Sequence, residues 1–437
     1  MIEKGSFIYR VFLLTFWINV CYGFIAEEIV TALVSLKPYV MLFCDVLVLL
    51  AGVFALKTRF FKWSVFSFLA IAFISTVIVN KYSVVTFVNG SRGFWWLLFT
   101  VPSLYYFFLY ENTYGYIKKF EKHLLVFLYI QCFCTVWQFA KYGAGDAVGG
   151  SMGWGSSGNL SLMVYMLSFY FMSKKFDRAH YFESLRKNWL YLFLLYPTFL
   201  NETKASFIYL ILYFLLLNKF EVKTLLKICL FLPLIFGVMS GLLYVYAMIT
   251  EQDFNELTGI DFYEQYLIGE DPDAIVESCQ MYYEGAFDKE YINQWETDLP
   301  RFTKIVLLSS VLDESKGGLI LGEGVGQYRG GTVLQSTPFT MKNEWFLNGT
   351  RIWTITLILQ VGIIGFLWFV YYFIALMNYK NNNSHFAVNL KVYLTAITIF
   401  LLVYGDSFSR LEFCVIFFYI LFSSQNFDKK RAELVIE

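Results

Sequence analysis

Apolar positions in this chain come in long runs, such as Leu210 to Leu217 and Ile355 to Leu376, and do not alternate with polar ones. A helix rises about 1.5 Å per residue, so about 20 apolar residues cross a hydrocarbon core. Inside lipid each backbone amide must find its partner within its own segment, and uninterrupted runs of this kind are therefore helices. A β-barrel predicts short alternating segments instead. The pattern predicts an all-α, polytopic helical bundle.

The length rule places about 12 transmembrane spans. They fall near Ile8–Ala26, Pro38–Leu56, Trp63–Val79, Phe94–Tyr110, Leu124–Ala140 and Leu160–Met172. The remainder fall near Trp189–Leu200, Ala205–Leu217, Leu225–Met248, Ile352–Met377, Phe386–Tyr404 and Leu411–Ser423. The pair flanking Thr203 is short, which suits tilted helices or helices broken in a protein-lined cavity. Ile8–Ala26 is too long for the apolar region of a signal peptide and no small-x-small site follows, so no cleavable leader is expected.

Composition agrees. Hydrophobic residues make up 58% and charged residues 16%, against roughly a quarter charged in a soluble domain. Basic residues set the expected orientation. With the N-terminus inside, inner connections carry Lys57, Arg59 and Lys62; Lys118, Lys119 and Lys122; Lys174, Lys175, Arg178, Arg186 and Lys187; and Lys219, Lys223 and Lys227. The tail adds Lys429, Lys430 and Arg431. This positive-inside bias puts both termini in the cytoplasm and Glu251 to Trp345 outside. The expected organisation is spans 1–9 in residues 1–249, a large, mainly helical external loop domain in 250–350, spans 10–12 in 351–424 and a cytoplasmic tail in 425–437.

The external segment opens with Asp253, Glu256, Asp261, Glu264, Glu270, Asp271, Asp273 and Glu277, with no Lys or Arg among them. The formal net charge of zero is thus an acidic outer domain added to a basic inner face. Phe302, Ile305, Val306, Leu308 and Leu312 fall largely at helical spacing. A glycine-rich turn follows at Gly317, Gly318, Gly322, Gly324 and Gly326. Of seven cysteines only Cys279 is external, so no disulfide framework is expected there, and Cys132-x-Cys134 packs.

Charge at the outer end of a membrane bundle is costly and tends to be retained for function. Four places qualify: Arg92 in Asn89-Gly90-Ser91-Arg92-Gly93 before a span; Glu202 and Lys204 between two short runs; Arg351 at the start of a span; and Asp406, Arg410 and Glu412 in a tight connection. Snorkelling to headgroups accounts for any one of them alone. Several on one face point to a site, and the planar fork of arginine suits phosphate or diphosphate. Gly322-Glu323-Gly324-Val325-Gly326 does not match a dinucleotide fingerprint and reads as a tight turn. Asp271-Pro272-Asp273 reads as a solvated loop, so no metal site is expected. His123, His180 and His385 all map to the inner side, which argues against a histidine catalyst on the outer face.

Four stretches resemble the O-antigen and capsular polysaccharide polymerase and ligase superfamily: Asn89 to Gly93; Gln138 with Gly149 to Gly153 and Ser156 to Asn159; Asn201-Glu202-Thr203-Lys204-Ala205-Ser206; and Arg301 through Leu321 to Gly326, Asn343-Glu344 and Gln360 to Gly365. Each is short, and their order along the chain is the specific part. The resemblance implies a metal-independent, cofactor-free glycosyltransferase acting on undecaprenyl-diphosphate-linked glycans, as donor and acceptor, in a bacterial cytoplasmic membrane. A chain-length regulator is an expected partner and nucleic acid is not. Where ligases of this group carry a His-Asn pair, this chain has Lys342-Asn343-Glu344, which favours polymerase over ligase.

On this reading Arg92, Arg301, Arg351 and Arg410, with Lys204, meet the charge of the leaving diphosphate. Glu202 or Glu344 draws the proton from the acceptor hydroxyl. Asn343 and Asp406 complete the substrate contacts, and Tyr282, Tyr283, Trp295 and Trp345 are candidates for stacking on sugars. A lipid-linked oligosaccharide flippase or other transporter is the rival of a different class, although no internal repeat of the kind transporters show is visible.

Overall fold

The computed structural model describes residues 2–109, 114–143, 145, 147–177, 179–201, 205–217, 301–313, 315–328, 337–347, 349, 351–378 and 384–425, together with 241, 244, 247 and 248. The described residues are all-helical, with no strand among them. The long helices are α1 (Ile2–Phe24), α2 (Lys37–Ala55), α3 (Arg59–Phe73), α4 (Val84–Leu109), α5 (Tyr114–Tyr142) and α6 (Ser157–Lys175). Shorter pieces follow as α7 (Tyr181–Lys187), α8 (Trp189–Phe193), α9 (Pro197–Leu200) and α10 (Ala205–Leu217). Beyond residue 300 come α11 (Arg301–Asp313), α12 (Gly318–Leu321), α13 (Pro338–Lys342), α14 (Glu344–Leu347), α15 (Trp353–Asn378), α16 (His385–Tyr404) and α17 (Leu411–Gln425).

Among the described residues six helical stretches are long and apolar enough to cross a membrane: Gly5–Ile29, Thr31–Ala55, Arg59–Val79, Gly115–Tyr142, Trp353–Asn378 and Phe386–Tyr404. Half of the expected spans are thus present in this form. The expected span Leu225–Met248, the acidic segment 251–300 and the tail after 425 lie outside the described residues, apart from the isolated positions above. Trp189–Leu200, expected as one span, is two short helices. Pro197 lacks the N–H that a continuous helix needs, and it opens α9 instead.

Burial separates a centre from a periphery. Every residue of α17 is buried, as are Leu160 to Met172 on α6, and these two helices pack together. The serines that interrupt α6 are answered inside: Ser168 Oγ donates to the Tyr191 carbonyl at 2.6 Å, and Ser161 Oγ to Asn201 Oδ1 at 3.1 Å. Outward faces stay apolar. Phe43, Val46, Leu50 and Val53 on α2, and Tyr129, Phe133 and Val136 on α5, are exposed at helical spacing. Such a belt would be costly against water and suits contact with lipid tails.

Alternating helix directions sort the connections to two ends. The basic end gathers Lys57, Arg59, Lys62, Lys118, Lys119, Lys122, Lys174, Lys175, Arg186 and Lys187. The polar end gathers the turns after α1 and α3, Asn201, the 405–410 connection and the described residues of 143–156 and 301–352. There α11 packs on α15 through Leu307, Leu308, Val311 and Leu312. Phe302 and Val306, which carried part of the helical periodicity, are exposed, so the buried stripe is shifted around the helix.

Candidate functional site: a polar end with two inserted glycine-rich segments

Two segments of irregular backbone enter the polar end of the bundle, and side chains on neighbouring helices satisfy them. The first is Gly149 to Gly153. Gln131 and Gln138 lie seven residues apart on one face of α5, and each clamps a backbone unit. Gln138 Oε1 accepts from the Gly150 amide at 2.7 Å while its Nε2 donates to the Gly150 carbonyl at 3.0 Å. Gln131 Oε1 accepts from the Ser151 amide at 2.8 Å, and its Nε2 donates to Ser151 Oγ at 2.6 Å. Ser151 Oγ in turn donates to the Val20 carbonyl of α1 at 2.7 Å.

The second segment, Leu321 to Gly326, docks against a break in α15. Gly362 sits at φ 69°, ψ −174° and interrupts that helix. The carbonyls released there find new donors: Leu359 O accepts from the Glu323 amide at 2.8 Å, and Gln360 O from Ser75 Oγ at 3.3 Å. Thr76 Oγ1 accepts from the Val325 amide at 2.9 Å, Gln360 Oε1 from the Gly326 amide at 3.0 Å, and Asn80 Nδ2 donates to the Gly322 carbonyl at 2.8 Å. Non-helical backbone inside an apolar bundle is tolerated when protein surrounds and satisfies it, as here. The expected tight turn is also a wedge, held in place by the residues that follow α3, by α4 and by α15. Gly90 is part of the same contact, since a Cβ on it would lie 2.3 Å from the Gly326 nitrogen. Asn89 to Gly93, expected before a span, lies inside α4, because nothing in those residues stops a helix and Gly90 is needed for the close approach.

The arginines differ in how their charge is met. Arg92 donates through Nε at 2.9 Å and Nη2 at 2.5 Å to Asp45 Oδ2 on α2, and through Nη1 to Asn89 Oδ1 at 3.0 Å. Its charge is answered within the bundle. Arg301, buried at the start of α11, donates to the Tyr404 carbonyl at 3.1 Å and stacks on the Tyr404 ring at 4.3 Å. It thereby caps the C-terminus of α16, where a cation is favoured. Arg351 lies over the Tyr328 ring at 5.0 Å, and Arg410 Nη1 donates to Ser156 Oγ at 3.3 Å. Among the described residues no carboxylate stands within ion-pair distance of Arg351 or Arg410.

Three of the stretches singled out in the sequence meet around Arg410. Ser407 Oγ donates to Asn159 Oδ1 at 2.6 Å, and Asn201 Nδ2 donates to Ser161 Oγ at 2.9 Å and to the Ser157 carbonyl at 3.1 Å. The Trp353 amide donates to the Gly405 carbonyl at 3.0 Å, which brings the chain next to Arg351 onto the same connection. Asp406 accepts from Ser409 Oγ at 3.1 Å, and Glu412 is buried one residue into α17. Asn343 is buried and donates to the Phe339 carbonyl at 3.1 Å, a local helix-end bond. Glu202 and Lys204 lie outside the described residues, as do the side chains of Glu344 and Trp345.

Several polar-end acids were not among the candidate site residues read from the sequence. Glu27 accepts from the Trp154 amide at 2.6 Å and lies 3.6 Å from Lys37, while Glu28 pairs with Lys141 at 2.9 Å. Glu323, on the inserted wedge, accepts a hydrogen bond from the Tyr82 hydroxyl. Burial, with the Glu323 carboxylate beside it, pushes the Tyr82 phenol up from its ordinary value. Asp45 had a visible signal, being a lone acid inside an apolar run, which is functional by default. Among the described residues no three His, Cys, Asp or Glu side chains gather as a metal-binding group. No protein-family model matches this chain, and no curated protein matches it.

Proposed function

We propose that the chain is a bacterial cytoplasmic-membrane glycosyltransferase that polymerises undecaprenyl-diphosphate-linked oligosaccharide repeat units into O-antigen or capsular polysaccharide. The observation that carries this reading is the pair Arg351 and Arg410. They share the polar end of an apolar bundle, with no carboxylate at ion-pair distance among the described residues. Arg410, bonded to Ser156, and Arg351, over the Tyr328 ring at the same end, offer guanidinium groups that suit a lipid diphosphate, whose departure is eased when its developing charge is met. Transfer is inverting and needs no metal. Glu202 or Glu344 takes the proton of the acceptor hydroxyl, Lys204 and Arg301 add positive charge, and Asn343 and Asp406 orient the substrate. Arg92, held by Asp45, positions α4 against α2. The polar end faces outward and the basic end faces the cytoplasm, as the positive-inside bias requires.

A deletion strain tests the reading through its glycan profile. Single-repeat product supports polymerase; accumulated unattached polymer would make the chain a ligase, and repeat units trapped on the inner leaflet would make it a flippase. Reporter fusions test orientation: sites after Lys430 and within Arg178–Arg186 should be cytoplasmic, and one near Asp271 external. A cytoplasmic signal at Asp271 would overturn the placement of the site.

A further inference from the structure

Behind the polar end, between α6, α10 and α16, lies a group of buried hydroxyls that the proposed chemistry does not use. Tyr165 on α6, Tyr209 and Tyr213 on α10 and Tyr393 on α16 are all fully buried. The Tyr165 ring lies 5.8 Å from that of Tyr209 and 6.3 Å from that of Tyr213. Phe169 joins the remaining pair, stacking on Tyr393 at 4.1 Å and meeting Tyr213 at 5.5 Å. Tyr209 and Tyr213 are one helical turn apart, as are Tyr165 and Ser168, so the hydroxyls are arrayed along the bundle axis.

The two extremities of the array are polar. Towards the polar end Tyr209 stands within electrostatic reach of Arg301 and Tyr404. Towards mid-bundle the Tyr213 hydroxyl lies 3.0 Å from Ser168 Oγ, which donates to the Tyr191 carbonyl. Between them the bonding is incomplete. Among the described residues the Tyr393 hydroxyl has no hydrogen-bond partner, and the Tyr165 hydroxyl faces Thr198 without a well-aligned bond. Leaving a buried hydroxyl unbonded is costly, and a chain can place phenylalanine there at no loss of packing. Two such hydroxyls, of Tyr165 and Tyr393, stand within electrostatic reach of each other and of the Tyr209 and Tyr213 hydroxyls, and polar interior sites of this kind hold water where apolar ones stay dry.

We propose that α6, α10 and α16 enclose a file of ordered water bound by the hydroxyls of Tyr165, Tyr209, Tyr213 and Tyr393, leading from Arg301 to Ser168. It stands whatever reaction the polar end carries out. Tyr372 supplies an internal comparison. It is equally buried, and among the described residues its hydroxyl is also unbonded and no second tyrosine hydroxyl interacts with it; its ring is stacked on Trp368 at 4.9 Å and against Phe60 at 5.9 Å.

Radiolytic labelling of the full chain in nanodiscs, read by mass spectrometry, tests this, because hydroxyl radicals formed from bound water oxidise the side chains next to it. Tyr165 and Tyr393 should be oxidised several-fold faster than Tyr372. Tyr393→Phe, in protein that keeps the wild-type melting temperature, should slow oxidation at Tyr165. Rates at Tyr165 and Tyr393 equal to that at Tyr372 would overturn the proposal, as would an unchanged Tyr165 rate in folded Tyr393→Phe. Should Tyr393→Phe fail to fold, the wild-type rates alone decide.

Discussion

Replacing Gly362 by alanine tests whether the glycine wedge holds the polar end together. Gly362 occupies φ 69°, ψ −174°, and a Cβ built there would lie 2.0 Å from the Ile320 carbonyl oxygen and 2.5 Å from the Leu321 nitrogen. Two costs therefore add. A non-glycine residue in this backbone region costs about 1–3 kcal/mol. Overpacking against fixed backbone costs about 1–3 kcal/mol more, since the atoms in the way are main chain and cannot rotate aside. The sum, about 2–6 kcal/mol, is a large part of the 5–15 kcal/mol typical of a whole fold. Gly93 is the control, because it lies in the same bundle inside α4 with nothing within 4 Å of a built Cβ. There the change to alanine should be neutral, or should stabilise by up to about 1 kcal/mol through helix propensity. Thermal melts in detergent, followed by fluorescence-detected size exclusion, should show Gly362→Ala shifted far down or lost and Gly93→Ala unchanged or slightly up. A Gly362→Ala protein that melts with the wild type would refute the wedge.

Three further outcomes follow from the charges. Arg410→Ala should abolish elongation of lipid-linked repeats while yield and melting stay near wild type, and Arg410→Lys should rescue poorly because an ammonium lacks the bidentate fork; full activity in Arg410→Ala would remove it from the site. Arg92→Ala should destabilise by somewhat less than the about 3–5 kcal/mol typical of breaking a buried pair, since its side chain stays 22% exposed, and adding Asp45→Asn should recover part of the melting temperature; no recovery would mean that the pair is not what couples α2 to α4. Purified protein should keep elongating in excess chelator, and activity lost to EDTA but restored by magnesium or manganese would point back to Asp271 and Asp273.

By itself the sequence determined the helical class and the sorting of charge. Runs such as Ile355 to Leu376 have only one way to pair their backbone in an apolar setting, and hydrogen bonds within a helix are local in sequence. The lysines of the basic end were likewise legible, because alternation of helix direction needs nothing beyond span order. The tertiary structure decided which helices are central. Apolar residues serve equally against lipid and against protein, so α17, buried throughout, and α2, with Phe43, Leu50 and Val53 facing outward, look alike as strings. It also decided what each charge meets. Arg92 and Arg410 are the same residue type at the same end. One is answered by Asp45, on another helix and 47 positions away in sequence, and the other by no carboxylate at ion-pair distance among the described residues. The glycine motifs show the same limit. Gly90, Gly322 and Gly362 each read alone as a flexible point, but they form one rigid contact, because only where three backbones approach too closely for a Cβ does the lack of a side chain become a requirement.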